Sequence, residues 1–449
     1  MLETKITNIF VLKDRVWMPC ELGIEGGQIA EMAPSVSGQA KEEIDGDGAF
    51  CFPGAVDLHA HFNEPGRTHW EGFETGSAAA AAAGITYLAE MPLNSIPSTV
   101  SVNSLHLKLE AVRAKSYVDF GLWGGLVPGN VDAIKPLAEA GVMGFKAFMS
   151  PSGTDDFQNS DTTTLREGMK RIAPTGLRLA LHAEDPAVLE RASAGLTSKE
   201  SAFDWERSRP VEAEISAVKI ASELAGETGC PITIVHVSAP EVLEVIHEAR
   251  AEGIDILCET CPHYLLLSIE DAAKIGTVAK CAPPLRPATT VEAMLDAFSK
   301  GWVDTLGSDH SPSPSDLKIG KTFYDAWGGI SGIQHGHPML IDAYGLHNTD
   351  YMAQLQLCAS AVPASMIGLT AKGTLEVGMD ADFSLIKNLD HPEEIREDDL
   401  LYRHKQSAYC GLDTEIEVIS TWLRGDCIAQ RGKTIGPPKG RFISSREGI

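Results

Sequence analysis

The chain has 449 residues, with 37 lysines and arginines against 62 aspartates and glutamates, a formal charge of −25, and 43% hydrophobic and 22% charged residues. Such a composition can bury a large core and excludes disorder as the organising state. No basic patch interleaved with aromatics interrupts the negative charge, so nucleic acid and anionic membrane are excluded as expected partners.

At about 150 residues per domain the length allows three domains, but one α/β barrel of about 250 residues plus a smaller unit is more economical. Residues 1–10 lack the basic stretch and long apolar core of a secretory signal, and no apolar run reaches membrane-spanning length. A cytoplasmic location is the expectation. The nine cysteines, scattered from Cys20 to Cys427, have no framework spacing and fit a reducing compartment. Cys258 and Cys261 spell Cys-x-x-Cys, yet there is no second pair to complete a structural zinc site, so packing at a strand end is the better reading.

In chain order, short strands are predicted over 5–12, 15–22 and 28–32, the last two joined at Glu25-Gly26-Gly27. An apolar run at 51–56 then leads into His59-Ala60-His61-Phe62-Asn63-Glu64-Pro65-Gly66-Arg67. Further apolar runs follow at 85–91, 117–126, 141–148, 178–182, 232–237, 255–260 and 303–309. Between them, helices are predicted over 74–83, 103–115, 211–224, 241–251 and 290–299; the first contains six consecutive alanines, small enough to let a helix approach a sheet closely. Eight alternating β and α units imply a closed parallel barrel of the (β/α)8 TIM type. The far end returns to strand-like alternation over 381–387 and 415–424. Neither terminal segment has enough apolar surface to stand alone. The expected organisation is therefore α/β: a barrel over 53–369 and a small β domain built from 1–52 and 370–449.

Barrel enzymes carry their chemistry at the C-terminal ends of the strands. Run one ends in His59 and His61, which two-residue periodicity places on one side of a strand. Run four carries Lys146, run five ends at His182, run six carries His236, and run eight ends at Asp309. Singly, each has an ordinary explanation: a surface lysine, hydrogen-bonded core histidines, a helix cap. Jointly they place four histidines, one lysine and one aspartate at corresponding strand ends.

This pattern resembles the cyclic amidohydrolases of the amidohydrolase superfamily, the branch containing dihydroorotases, hydantoinases or dihydropyrimidinases, and allantoinases. The resemblance covers the whole chain, including Gly373-Thr374-Leu375-Glu376-Val377-Gly378-Met379-Asp380-Ala381-Asp382 at the return to the small domain. It implies that carbon dioxide carboxylates Lys146 to N6-carboxylysine, which bridges two divalent metals. An ammonium cannot ligate a cation, whereas a carbamate is an anionic oxygen ligand. One metal would be held by His59, His61, Lys146 and Asp309, the other by Lys146, His182 and His236. Zinc is the expected metal, although cobalt, manganese and iron tolerate the same donors. A zinc-bound water can titrate near about 7, and Asp309 would be the catalytic residue that takes its proton and passes it to the leaving ring nitrogen.

Dihydroorotases of this branch typically carry arginine two residues after His-x-His, to grip the substrate carboxylate; here Asn63 stands there, with Arg67 close in sequence. The segments 61–67, Trp70-Glu71-Gly72-Phe73, Met91-Pro92-Leu93-Asn94-Ser95 and Gly328-Gly329-Ile330-Ser331-Gly332-Ile333-Gln334 look closer to allantoinases. Asn63, Asn94, Ser331 and Gly332 are the expected binders of an uncharged small-molecule substrate, and Cys281-Ala282-Pro283-Pro284-Leu285-Arg286 resembles a substrate-contacting loop, with Arg286 either touching substrate or bracing it. The resemblance also implies a homo-oligomer, a tetramer. A hydantoinase, dihydropyrimidinase or dihydroorotase with the same metal chemistry remains the alternative, followed by a non-catalytic interaction homologue.

Overall fold

The computed structural model describes residues 1–445. Its strands are β1 (Leu2–Lys13), β2 (Val16–Glu25), β3 (Gln28–Ala33), β4 (Ala40–Pro53), β5 (Ala55–Ala60), β6 (Ile85–Glu90), β7 (Asp119–Leu122), β8 (Gly124–Gly125), β9 (Phe145–Phe148), β10 (Leu179–His182), β11 (Ile232–Ile234), β12 (Ile256–Thr260), β13 (Thr305–Leu306), β14 (Phe383–Glu394), β15 (Asp413–Leu423), β16 (Asp426–Gln430) and β17 (Lys433–Thr434).

Strands β5 to β13 form the barrel, all pairing in parallel, with β7 and β8 a single run interrupted at Trp123. The ring closes where Ala60 bridges His310 in parallel. Asp57 reinforces this seam: its carboxylate accepts from the backbone N–H of Ser308 (3.1 Å) on one side and of His59 (3.0 Å) on the other. The strands are buried on both faces, which is why they read as nearly continuous apolar runs rather than alternating ones. The observed ladders are shorter than the apolar runs at 141–148, 232–237 and 303–309. In the second and third of these runs the residues beyond the last ladder bonds include His236 and Asp309.

The second sheet has the order β17-β16-β15-β14-β4-β1-β2-β3, so the two ends of the chain do combine in one layer. The hinge of this sheet is β4, which pairs parallel with β1 and antiparallel with β14. Sequence reading missed it because its first half, Ala40-Lys41-Glu42-Glu43-Ile44-Asp45, is charged and largely exposed. At the β2–β3 hairpin, Gly26 and Gly27 adopt φ of +61° and +80°, the two positive values that a two-residue turn matched to strand twist requires. The alanine helix (Phe73–Ala82) lies between the barrel strand β6 and the small sheet, and the Thr421 hydroxyl of β15 donates to the Ala81 carbonyl at 2.6 Å. Covered on both sides, it has room for methyl groups and little more.

A buried charge cluster joins the sheet to the base of the barrel. Lys372 Nζ lies 2.9 Å from Asp119 at the start of β7, 2.9 Å from Asp380 and 2.6 Å from Asp382, and Arg424 pairs with Asp119. Burial lowers the lysine pKa, but the three carboxylates overcome this and raise it. Removing one partner of such a cluster strands the others. Lys372→Met is therefore expected to cost about 3–5 kcal/mol of stability, read as a lower urea midpoint; an unchanged midpoint would show that the cluster holds nothing together.

Candidate metal centre and active-site cavity

His59 and His61 leave β5 on the same side, as residues two apart on a strand must, with ring centroids 5.5 Å apart. The Nε2 atoms of both lie 3.3 Å from one oxygen, Oδ1 of Asp309. Among the described residues these three form a cluster with donor atoms within 4.8 Å of one another, the right size to surround a cation. A second pair stands nearby: Nδ1 of His182, at the end of β10, faces Nε2 of His236 at 2.9 Å, and the His59 and His236 ring centroids are 5.5 Å apart.

His236 and Asp309 hold φ of +47° and +42°, a left-handed conformation unfavourable for residues with a Cβ. Each such residue costs on the order of 1–3 kcal/mol and persists where the surroundings impose it. Here the strain turns two side chains inward at the point where their strands end.

Outer contacts decide which ring nitrogen looks inward. His59 Nδ1 is 2.6 Å from Glu259 Oε1, His61 Nδ1 is 3.3 Å from the Leu93 carbonyl, and His182 Nε2 is 2.7 Å from Glu184 Oε2, which also pairs with Arg209. An outer acceptor fixes the proton on its own side and leaves the opposite nitrogen as a lone-pair donor. Glu184 and Glu259 were not singled out from the sequence. The sequence signal for Glu259 is a carboxylate inside the apolar run at 255–260, between Cys258 and Cys261. Both of those cysteines are buried and free.

Lys146 on β9 is completely buried, and its Nζ has no hydrogen-bond partner among the described residues. Burial pushes the amine down to about 8, against the opposing pull of Asp309 and Glu259. Burial likewise lowers the pKa of His61, His182 and His236. For Asp309, burial acts upward, but His59 and His61 outweigh it and hold the carboxyl below its usual range. The donor set is thus a carboxylate oxygen, imidazole nitrogens and one orphaned amine, a combination suited to borderline divalent ions.

Above this floor opens a cavity of about 340 Å³. Asn94 lines it. Asn63 does not; it sits one layer behind, accepting from Asn94 Nδ2 at 3.1 Å and donating to the Pro312 carbonyl at 3.3 Å. Its backbone, at φ +64°, is held by Glu90, which accepts from the N–H groups of Phe62 and Asn63 (both 3.1 Å) and pairs with the buried Lys108. Ser331 and Gly332 also fall outside the lining: the Ser331 carbonyl accepts from Ser407, and the Gly332 N–H points at His310 Nδ1. From the same glycine-rich stretch, Gly328 and Gly329 do reach the cavity. Arg67 is engaged elsewhere, bonded to Asp156 and to the Asn94 carbonyl, with its guanidinium over Trp70. Arg286 is a brace, buried between Glu214, Ser238 Oγ and the Arg209 carbonyl, whereas Ala282 of its loop lines the cavity.

The sequence profile of the amidohydrolase family matches residues 50–428. Among curated proteins, the chain is 45% identical to an allantoinase of Rubrobacter xylanophilus, over 94% of this chain and 93% of that one. It is 44% identical to an allantoinase of Bacillus velezensis, over 92% and 90%. Among solved structures, it resembles the L-hydantoinase (dihydropyrimidinase) from Arthrobacter aurescens with a TM-score of 0.94 at 30% identity, covering 99% of this chain and 100% of that one. The dihydropyrimidinase from Brevibacillus agri gives a TM-score of 0.89 at 25% identity, over 99% and 98%.

Proposed function

This chain belongs to the amidohydrolase family and is a hydrolase of cyclic amides, and on that footing we propose that it opens the hydantoin ring of allantoin to give allantoate. The observation carrying the choice of ring is the 37–45% identity to curated allantoinases across nearly the whole chain. The cavity agrees with an uncharged substrate: Asn94 is on its wall, and the nearby Arg67 is committed to Asp156.

In the reaction, water adds to a ring carbonyl carbon, the ring C–N bond breaks, and a carboxylate and a freed N–H result. Two divalent metal ions, zinc by expectation, would be held by His59, His61 and Asp309 on one side and His182 and His236 on the other, with Lys146 shared as its carbamate. When bound, such ions acidify water and polarise a carbonyl. Carbon dioxide and the Lys146 amine combine with loss of one proton, which turns a buried group without a partner into an anionic ligand. Asp309, aimed at the same point as His59 Nε2 and His61 Nε2, takes the proton of the attacking water and returns it to the departing ring nitrogen. Glu259 and Glu184 keep the imidazoles in the tautomers that the site needs. Of the expected binders, Asn94 acts from the wall and Asn63 acts through it, while the Ser331 carbonyl and the Gly332 N–H are engaged by Ser407 and His310.

On this reading the barrel over 53–369 carries the chemistry, and the small β domain of 1–52 and 370–449, of which residues through 445 are described, supplies the second sheet. We place the enzyme in the cytoplasm, a reading supported by nine free cysteines of which seven are buried, and take the homotetramer from the family resemblance. No helix of the described residues is long and apolar enough to cross a membrane.

A hydantoinase is the second reading, favoured by the 0.94 TM-score to the Arthrobacter aurescens enzyme. Ring opening measured side by side on allantoin, hydantoin, dihydrouracil and dihydroorotate with metal-replete enzyme is expected to show the highest kcat/KM on allantoin. Preference for any other ring would overturn the assignment.

A further inference from the structure

Glu71 of the Trp70-Glu71-Gly72-Phe73 segment, and Gly332 and Gln334 of the glycine-rich stretch, do not line the cavity. They converge instead on His310, the completely buried residue that follows Asp309. The Gly332 N–H donates to His310 Nδ1 at 3.2 Å, and Glu71 Oε2 lies 3.8 Å from His310 Nε2. The Tyr402 ring packs against the imidazole at a centroid distance of 4.8 Å, with its hydroxyl accepting the Gln334 N–H at 2.8 Å, and Phe62 stands edge-on at 6.0 Å. A ring nitrogen that accepts an N–H carries no proton of its own, so the neutral imidazole keeps its proton on Nε2, the nitrogen beside the Glu71 carboxylate. Neither Nε2 nor Oε2 has a hydrogen-bond partner among the described residues. Glu71 is fixed through its other oxygen, which accepts the Arg403 N–H at 3.1 Å.

The main chain at His310 is fastened as well. Its carbonyl accepts the His61 N–H at 2.8 Å, its N–H donates to Ser308 Oγ at 3.1 Å, and it bridges Ala60 and Ile330, both in parallel. Ser308, on the other side of Asp309, gives its N–H to Asp57 at 3.1 Å and its hydroxyl to the His59 carbonyl at 3.2 Å. Between these two anchored neighbours Asp309 holds its left-handed φ of +42°, a conformation that persists only where the surroundings impose it. Of the two neighbours, His310 is the one whose side chain is gripped by three distant segments, at Glu71, Gly332 and Tyr402. The same residue ties the backbone of His61 to the turn that carries Asp309, whose Oδ1 lies 3.3 Å from His61 Nε2.

We propose that His310 is the positioning residue for Asp309: its imidazole, fixed by Gly332, Tyr402 and Glu71, holds the turn that aims the Asp309 carboxylate at His59 and His61, and so sets the rate of the proton transfer that Asp309 performs. The role rests on Asp309 being the proton carrier. A misplacement of about 1 Å at a reacting group can cost about a hundredfold, so slack at His310 is felt in turnover. Substrate binding is left alone, because His310, Glu71 and Tyr402 do not line the cavity.

The test measures ring opening of the parent's best substrate, metal content and Tm on metal-replete His310→Asn, Glu71→Gln, Asp309→Asn and the double variant His310→Asn/Asp309→Asn. His310→Asn removes Nε2 and most of the ring; Glu71→Gln keeps the shape and an oxygen for Arg403 while removing the charge beside Nε2. His310→Asn is expected to lower kcat by about tenfold to a hundredfold, and Glu71→Gln to lower it less, both with full metal content and with KM within about twofold of the parent. In the Asp309→Asn background the His310 change should cost less than about twofold, because residues that act as a unit are not additive. A role confined to folding would lower Tm without this pattern. Parent-like kcat in both single variants, a raised KM with unchanged kcat, or full multiplication of the two losses in the double variant would overturn the proposal. If His310→Asn does not fold, Glu71→Gln decides alone, a parent-like kcat sinking the role. Near-normal turnover of Asp309→Asn would defeat the proton-carrier reading first, and this role with it.

Discussion

Lys146→Ala is expected to abolish ring opening and to empty the site of its metal pair. The amine is completely buried without a hydrogen-bond partner, so its deletion leaves no polar group stranded in the core. What is lost from folding is the packing of the aliphatic stem, about 0.8 kcal/mol per methylene. The variant should therefore fold, keep its far-ultraviolet circular dichroism and unfold at a modestly lower temperature. On the proposed reading, what is lost from function is the one ligand common to both halves of the donor set. Metal catalysis supplies several kcal/mol of transition-state stabilisation, and each factor of ten is about 1.4 kcal/mol, so turnover should fall by at least about a thousandfold. Elemental analysis of the purified variant decides the matter. Full metal content would refute the shared role.

Asp309→Asn separates holding a metal from moving a proton. The amide keeps the shape of the carboxylate and one oxygen donor, and His59 and His61 remain with their Nδ1 atoms anchored on Glu259 and the Leu93 carbonyl. Metal content should be largely retained. The amide has neither the charge nor the basicity to take a proton from water, and loss of such a group typically costs about 10²–10⁴-fold. In the parent, His59 and His61 hold the Asp309 carboxyl below its usual range despite its burial. Near-normal turnover of Asp309→Asn would remove Asp309 from the proton path.

The strand-end residues His59, His61, Lys146, His182, His236 and Asp309 were readable because a barrel puts the chemistry of every strand at the same end, so sequence position within a β unit translates directly into position in space. The left-handed backbone at His236 and Asp309 was not readable, since neither residue type announces a positive φ. The strand β4 escaped because half of it is exposed and charged, a pattern that local periodicity reads as a turn. Lys280 and Lys318 show the same limit more sharply: both are ordinary residues in sequence, and their contacts join segments that run about forty residues apart.

By itself, the sequence determined the α/β alternation, the return of both ends to one β layer and the identities of the chemistry-bearing side chains at the strand ends. Those properties are local: apolar period, run length and residue type suffice to state them. The tertiary structure alone decided which atoms face inward. Glu259 and Glu184 settle the histidine nitrogens, Glu90 and the Asn94 amide place Asn63 behind the wall rather than in it, and the buried Lys280 and Lys318 fasten the backbone at Ala326 and Gly329. A side chain's direction is set by what it touches, and almost everything touching these residues comes from another part of the chain.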